Sequence, residues 1–288
     1  MRYCLAIDIG GTKLAAGLVS EIGHLCSSRQ VPTPVTSAPA ELFAVLMDLA
    51  RSVGGEPVAV GVGTGGPMTP GGESVSPLNI GAWRGFPLRA ALADALELPI
   101  FVDNDAKALA IAEGWVGAAA GRKDYITMVV STGVGGGIVS GGRLLDGRLG
   151  NAGHIGHVIV VPGGRRCACG ARGCLEAEAS GPAIAARTGR PAPEAPAEVV
   201  ARTGMLVGRA LGCVANLCDL DLAVVGGGVA LGFGAPFFAA AQAELDECAR
   251  LSFSVGARVV PVGLGPDGPL VGAGAVAWRG LGLLGSPR

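Results

Sequence analysis

The chain carries little charge, and what it has cancels. Only 16% of its 288 residues are charged, and the formal net charge is −1. No bulk basic field exists to hold nucleic acid, so an anionic ligand must be gripped locally, by backbone amides or a metal. No apolar run free of glycine and charge reaches the roughly 18 residues of a membrane span. The amino terminus, MRYCLAIDIGG, begins a strand at once, with no charged leader, apolar segment and cleavage site in order. The first glycine turn fits neither the P-loop nor the dinucleotide fingerprint. The cysteine spacing fits no generic zinc-finger pattern. These absences leave a cytoplasmic protein with reduced thiols as the expectation.

Glycine is abundant instead, at 50 residues. That is far above the usual ~7%, yet it has no collagen period. It gathers at strand–loop junctions, as turns that approach a phosphate do. Half of the residues are apolar, which suits a compact chain of one large domain or two modest ones. Eight cysteines are present. Cys4, Cys26, Cys213, Cys218 and Cys248 are scattered among apolar residues, as core positions are.

Strands and helices alternate along the chain, which indicates an α/β fold with mixed sheets. Tyr3–Ile9, Leu14–Val19 and Leu25–Val31 read as strands, and Leu42, Val45, Leu46 and Leu49 give Pro39–Ser52 a helical period. Val58–Val62 reads as a buried strand, Pro87–Leu96 as a helix and Ile100–Val102 as a strand. A helix is then expected to open at Asp103-Asn104-Asp105. Tyr125–Val130 and Gly136–Val139 repeat the strand, glycine turn, strand pattern of the amino terminus. Further helices are expected over Glu176–Arg187, Pro196–Leu217, Pro236–Arg250 and Val271–Leu281, with strands at Leu222–Val225 and Arg258–Val262.

Four groups of residues carry chemistry. Asp8 ends a strand and precedes Gly10, Gly11, Thr12 and Lys13, so turn amides and a hydroxyl face phosphate while Asp8 faces Mg2+ through water. An ordinary hairpin turn fits the same residues. Ser131-Thr132-Gly133 and Gly226-Gly227-Gly228 are further glycine turns at strand ends, and together the three favour a nucleotide. Asp103-Asn104-Asp105 offers a carboxylate for an acceptor proton and an amide for a neighbouring hydroxyl. Read alone, Asp103 or Asp105 also serves as a helix cap. Finally, His157, Cys167, Cys169 and Cys174 form a complete four-ligand set for a closed, structural Zn2+ site. Gly170 and Gly173 would let the backbone wrap the ion. His154 lies three residues before His157, and Glu176 two residues after the last of these cysteines.

In order and spacing, DIGGTK, the GTGGP turn, DNDAKALA, STGVGGG, AGHIGH, CACGARGCLEAEASG and VVGGGVA resemble the ROK family of repressors and sugar kinases over essentially the whole chain. The resemblance implies an actin-like ATPase fold of the hexokinase type, two α/β lobes with mixed sheets around a cleft. On this reading residues 1–104, completed by a helix at 271–288, form the small lobe. Residues 105–270 form the large lobe with the zinc loop. Asp8, Gly10, Gly11, Thr12, Lys13, Thr132 and Gly133 are expected at the nucleotide phosphates, and Gly227 and Gly228 near adenosine. Asp105 is the expected general base. Gly66, Asn104, Asp105, His154, His157 and Glu176 are expected at the sugar. ATP, Mg2+ and structural Zn2+ follow, and a homodimer is expected from relatives. Family repressors place a helix-turn-helix segment ahead of the DIGGTK strand, which here begins by Tyr3, so DNA binding is not expected.

One departure bears on the acceptor. Most sugar kinases of the family read E-x-G-H where this chain reads His154-Ile155-Gly156-His157. A carboxylate there accepts from sugar hydroxyls, whereas an imidazole offers an N–H that suits an acetamido carbonyl. The expected reaction is phosphorylation of N-acetylmannosamine at its 6-hydroxyl, in amino sugar catabolism, with glucose as the alternative acceptor and a non-catalytic sugar sensor as the remaining one.

Overall fold

The computed structural model describes residues 1–284. The chain begins with β1 (Tyr3–Ile9), β2 (Lys13–Ser20), β3 (Leu25–Pro32), α1 (Pro39–Ser52), β4 (Val60–Thr64), α2 (Leu88–Leu96), β5 (Ile100–Asn104) and α3 (Asp105–Val116). It continues through β6 (Tyr125–Val130), β7 (Val134–Ser140), β8 (Arg143–Leu144), α4 (Leu175–Ala179), α5 (Gly181–Thr188) and α6 (Ala197–Cys218). It ends with β9 (Leu222–Gly226), α7 (Gly228–Phe233), α8 (Ala235–Cys248), β10 (Arg258–Pro261) and α9 (Gly268–Gly280). Two units result. The first holds Met1–Gly121, Asp146–Ala152 and the described residues from Leu264 to 284; the second holds Arg122–Leu145 and Gly153–Gly263.

This division differs from the one expected at 104/105. Helix α3 belongs to the first unit because it packs along α9 and beside β4 and β5. Gly272 of α9 lies directly on the backbone of Ala108, so the two helices are in close contact. The segment Asp146–Ala152 also returns to the first unit. Of the helix expected to run to 288, residues 285–288 lie outside the described residues, and α9 itself ends at Gly280.

Each unit is built on a five-stranded sheet, ordered β3-β2-β1-β4-β5 in the first and β10-β9-β6-β7-β8 in the second. The two plans match. A glycine turn joins β1 to β2, and another joins β6 to β7, so these pairs are antiparallel. Strands reached through helices run parallel: β4 with β1 and β5, and β9 with β6 and β10. The echo between the two hairpins is therefore present in the backbone.

In the first unit, alternation along the strands sorts large from small side chains. Ile7, Ile9, Val60 and Val62 pack with Leu42 and Leu46 of α1, Leu88 and Leu92 of α2, and Trp83. Burying each such leucine is worth about 1.5–3 kcal/mol, which holds a 14-residue helix that alone would be marginal. The opposite face is small. Cys4 and Ala6 lie under α9, and a methyl at Gly61 of β4 would collide with the carbonyl oxygen of Ala273. That contact lets α9 rest on the strands themselves.

In the second unit, Ile126 and Met128 of β6 pack with Leu206, Val207 and Leu211 of α6 and Phe237 of α8. The single helix expected over Glu176–Arg187 is two. Ser180 is extended (φ −71°, ψ 160°), and its side chain accepts from the Ala183 amide at 3.3 Å to cap α5. The run Ser-Gly-Pro explains the break, since Pro182 has no N–H for the carbonyl four residues back and is favoured in a first helical turn. Helix α7 was not foreseen.

Candidate active site

The first unit carries an acidic corner. Register pairs Asp8 with Gly63, and Gly63 with Asp103, so the ends of β1, β4 and β5 align. A Cβ on Gly63 would lie 3.8 Å from Asp8 Oδ1 and 3.6 Å from the Asp105 Cα. The glycine keeps the space between the two acids open. Asp8 is 8% exposed. Burial, then the charge of Asp105, push its carboxyl up to about 7, with Lys13 opposing them. An acid buried near a like charge is a natural neighbour for a cation. The turn itself is fixed by Gly10 N–H donating to Lys13 O (3.0 Å) and by the Thr33 hydroxyl donating to Gly10 O (2.7 Å). Gly11, Thr12 and Lys13 are exposed.

The cap of α3 is Asn104, not either aspartate. Its Oδ1 accepts from the Ala106 and Lys107 amides at 3.0 and 3.3 Å. Asp105 is then the first helical residue, exposed, with Oδ1 accepting from the Ala106 amide at 2.8 Å. Asp103 turns to a buried lysine instead, with Oδ1 2.8 Å from Lys107 Nζ. Gly66 lies in the loop after β4, where its carbonyl accepts from Leu78 at 3.3 Å, and the Gly66–Pro67 bond is cis.

The second unit brings together the other candidates. Between β6 and β7, Ser131 N–H donates to Gly133 O at 2.9 Å, and Ser131 O accepts from Gly181 at 2.8 Å. Thr132 stands exposed at the tip. Glu176 reaches this turn: its Oε2 accepts from the Val134 amide at 3.0 Å. Gly227 has φ +95°, and a side chain there would strike the Val130 backbone, so glycine is required. Gly228 follows as the first residue of α7, its Cβ position 3.7 Å from Ser131 Oγ.

The cysteine loop completes this set. One ligand atom from each of His157, Cys167, Cys169 and Cys174 lies within 4.8 Å of all the others. Cys169 and Cys174 sulfurs are 3.7 Å apart, and Cys167 Sγ is 3.7 Å from His157 Nδ1. With metal–sulfur bonds of about 2.3 Å, a tetrahedron has S–S edges of about 3.8 Å. The donor set and its spacing can therefore hold a metal ion. Gly170 (φ +96°) and Gly173 (φ +80°) take the left-handed turns expected of them. The Ala171 amide lowers the Cys169 thiol, whereas burial pushes Cys174 up to about 12. Because His157 gives Nδ1 to this cluster, Nε2 lies on the opposite edge of the ring. The His154 and His157 rings are 6.0 Å apart.

The sequence reading missed Glu178. This carboxylate is 3% exposed, accepts from the Arg165 amide at 2.8 Å and pairs with Arg202 at 2.7 Å. Burial raises its pKa, but those partners outweigh it and hold the carboxyl below the usual range. It anchors the cysteine loop two residues before Cys167. The only sequence signal was a second glutamate beside Glu176.

Two mixed sheets, each with a glycine turn between its first strands, define the actin-like ATPase fold of the hexokinases. A glucokinase from Streptomyces griseus, solved with glucose and AMPPNP, superposes with a TM-score of 0.85 at 30% identity, covering 96% of this chain and 99% of that one. A hexokinase from Thermus thermophilus gives 0.82 at 33% identity, covering 97% and 99%. The ROK family's sequence profile matches residues 4–279, and the chain belongs to the ROK family. An N-acetylmannosamine kinase from Escherichia fergusonii is 38% identical over 247 residues, 80% of this chain and 84% of the relative.

Proposed function

We propose that the protein transfers the γ-phosphoryl group of ATP to the 6-hydroxyl of N-acetylmannosamine, as a cytoplasmic step in amino sugar catabolism. The observation that carries the acceptor is the 38% identity to N-acetylmannosamine kinase. His154 supplies the chemical reason: an N–H donor stands where a carboxylate would favour a plain hydroxyl.

Asp105, at the exposed start of α3, takes the proton of the 6-hydroxyl as that oxygen bonds to the γ-phosphorus and the bond to ADP breaks. Asn104 keeps Oδ1 in its cap and offers Nδ2 to a neighbouring hydroxyl. His157 Nε2, His154, Glu176 and Gly66 bind the sugar. Amides of the turns at Gly10–Lys13 and Thr132–Gly133, with the Thr12 and Thr132 hydroxyls, hold phosphate oxygens. Gly227 and Gly228 lie near adenosine, where the absence of side chains leaves room. Mg2+, when bound, neutralises phosphate charge, and Asp8 is placed to face it through water. Zn2+ would be held by His157, Cys167, Cys169 and Cys174. With four protein ligands it supplies rigidity and no activated water. A homodimer that binds no nucleic acid belongs to the same reading.

The test couples ADP release to N-acetylmannosamine, N-acetylglucosamine, glucose and mannose in turn. N-acetylmannosamine should give the highest kcat/KM, and His154→Glu should shift preference towards unsubstituted hexoses. Preference of the natural protein for glucose would make it a glucokinase. Silence on all four would make it a sugar sensor.

A further inference from the structure

We propose that Lys107 is a positioning residue for sugar binding, its buried ammonium stapling the loop Asp146–Ala152 to the helix that carries Asp105. The proposal rests on the kinase reading above. The Lys107 side chain is 3% exposed. Its Nζ lies 2.8 Å from Asp103 Oδ1, 2.8 Å from Asp146 Oδ1 and 3.1 Å from the Gly150 carbonyl. Of the three donors an ammonium has, two go to Asp146 and the Gly150 carbonyl, and Asp103 completes the set as an ion pair. On one side the staple grips Asp103, whose Oδ1 also accepts from the Asn104 amide at 2.8 Å, directly before the capping residue and Asp105.

On the other side it grips a loop already closed on itself. Ala152 N–H donates to Asp146 O at 3.0 Å, and Gly150 N–H to Gly147 O at 3.4 Å. Asn151 clamps the loop a second time: its side-chain nitrogen donates to Met68 O at 3.1 Å and its oxygen accepts from Met68 N–H at 3.4 Å. Arg279 adds weaker contacts to the same two acids, 3.3 Å to Asp146 and 3.7 Å to Asp103. From Ala152 the chain passes straight into Gly153, His154 and the turn ending at His157. Fixing Asp146–Ala152 therefore fixes where the histidine segment starts.

Lys107 and Asp103 give up most of their water to pair, which makes the contact a poor way to gain stability, whereas half-exposed Asp146 keeps part of its own. It is a good way to fix a geometry, and stability and positioning can be separated. Lys107→Met leaves Asp103 and Asp146 without their buried cation, so the melting temperature should fall. Adding Asp103→Asn relieves the more buried of those charges and should restore much of the melting temperature. It does not restore the staple. Calorimetry should then show the Kd for N-acetylmannosamine raised roughly tenfold or more in both variants, with affinity for a non-hydrolysable ATP analogue in the absence of sugar unchanged. Trypsin should cut at Arg148 faster in both. A double variant that regains sugar affinity together with stability would reduce Lys107 to a structural residue and overturn the proposal. Were the natural protein to bind no hexose at all, the kinase reading would fall and the sugar role with it. Cleavage at Arg148 would still report on the staple, and unchanged rates in both variants would refute it.

Discussion

The acidic corner and the cysteine loop both hold reactive side chains still, by opposite means. Asp8 and Asp105 stand at the ends of a hydrogen-bonded ladder, where strand register and the Asn104 cap decide their positions. The ladder leaves Asp8 buried with the charge of Asp105 near it, and burial first, then that charge, raise its pKa. The cysteine loop has almost no ladder, only isolated bridges at Ile159–Cys174 and Arg166–Arg172. There the position comes from a cluster of one histidine and three cysteines, two left-handed glycines and the buried Glu178. Where the backbone sets the geometry, electrostatics can be spent on chemistry. Where it does not, electrostatics must set the geometry.

The contrast is sharpened most by Asp105→Ala. With a backbone-held base, kcat should fall about 10²–10⁴-fold, some 3–5 kcal/mol of barrier, while circular dichroism and metal content stay unchanged. Turnover that survives would show that the corner holds no base. A smaller effect is expected in the cysteine loop from Glu178→Gln, which takes a charge from the loop's anchor and no ligand from the cluster. Metal affinity, measured by competition with a chromogenic chelator, should fall about 10–100-fold. No change would mean that the loop keeps its shape without the anchor.

The smallest effect concerns stability against pH. Asp8 has a folded pKa of about 7 against an ordinary 3.8, so between those values the folded protein binds the extra proton. Stability must fall as pH rises through that window, the reverse of an ion-paired carboxylate. Asp8→Asn should flatten the slope and stabilise the fold above pH 7 by about 1–2 kcal/mol, after the cost of burying the amide. Thermal melts at pH 5 and pH 8 check this, and parallel slopes in the two proteins would dissolve the idea of a raised Asp8 carboxyl.

What the sequence disclosed follows the same divide. Strand β1 falls where its apolar, β-rich run places it, and helix α1 where the period of Leu42, Leu46 and Leu49 does, because those signals are local. That His157, Cys167, Cys169 and Cys174 cluster was legible because they fall within twenty residues. The break at Ser180 was hidden by good helix formers on both sides of a Ser-Gly-Pro run. Lys107 gave no sign at all: its partners Asp146 and Gly150 lie about forty positions away, and nothing in DNDAKALA says that the lysine is buried. The units divide elsewhere than 104/105 for a related reason, since α3 packs on α9 at the far end of the described chain.

The glycine seam under α9 has a further consequence for biosynthesis. Cys4, Ala6 and Gly61 are made early, yet the helix that covers them spans Gly268–Gly280. Chains emerge amino end first and fold unit by unit, so β1 and β4 must wait, one face bare, while every strand and helix of the other unit leaves the ribosome. The part of the protein that is translated first is the part that is finished last.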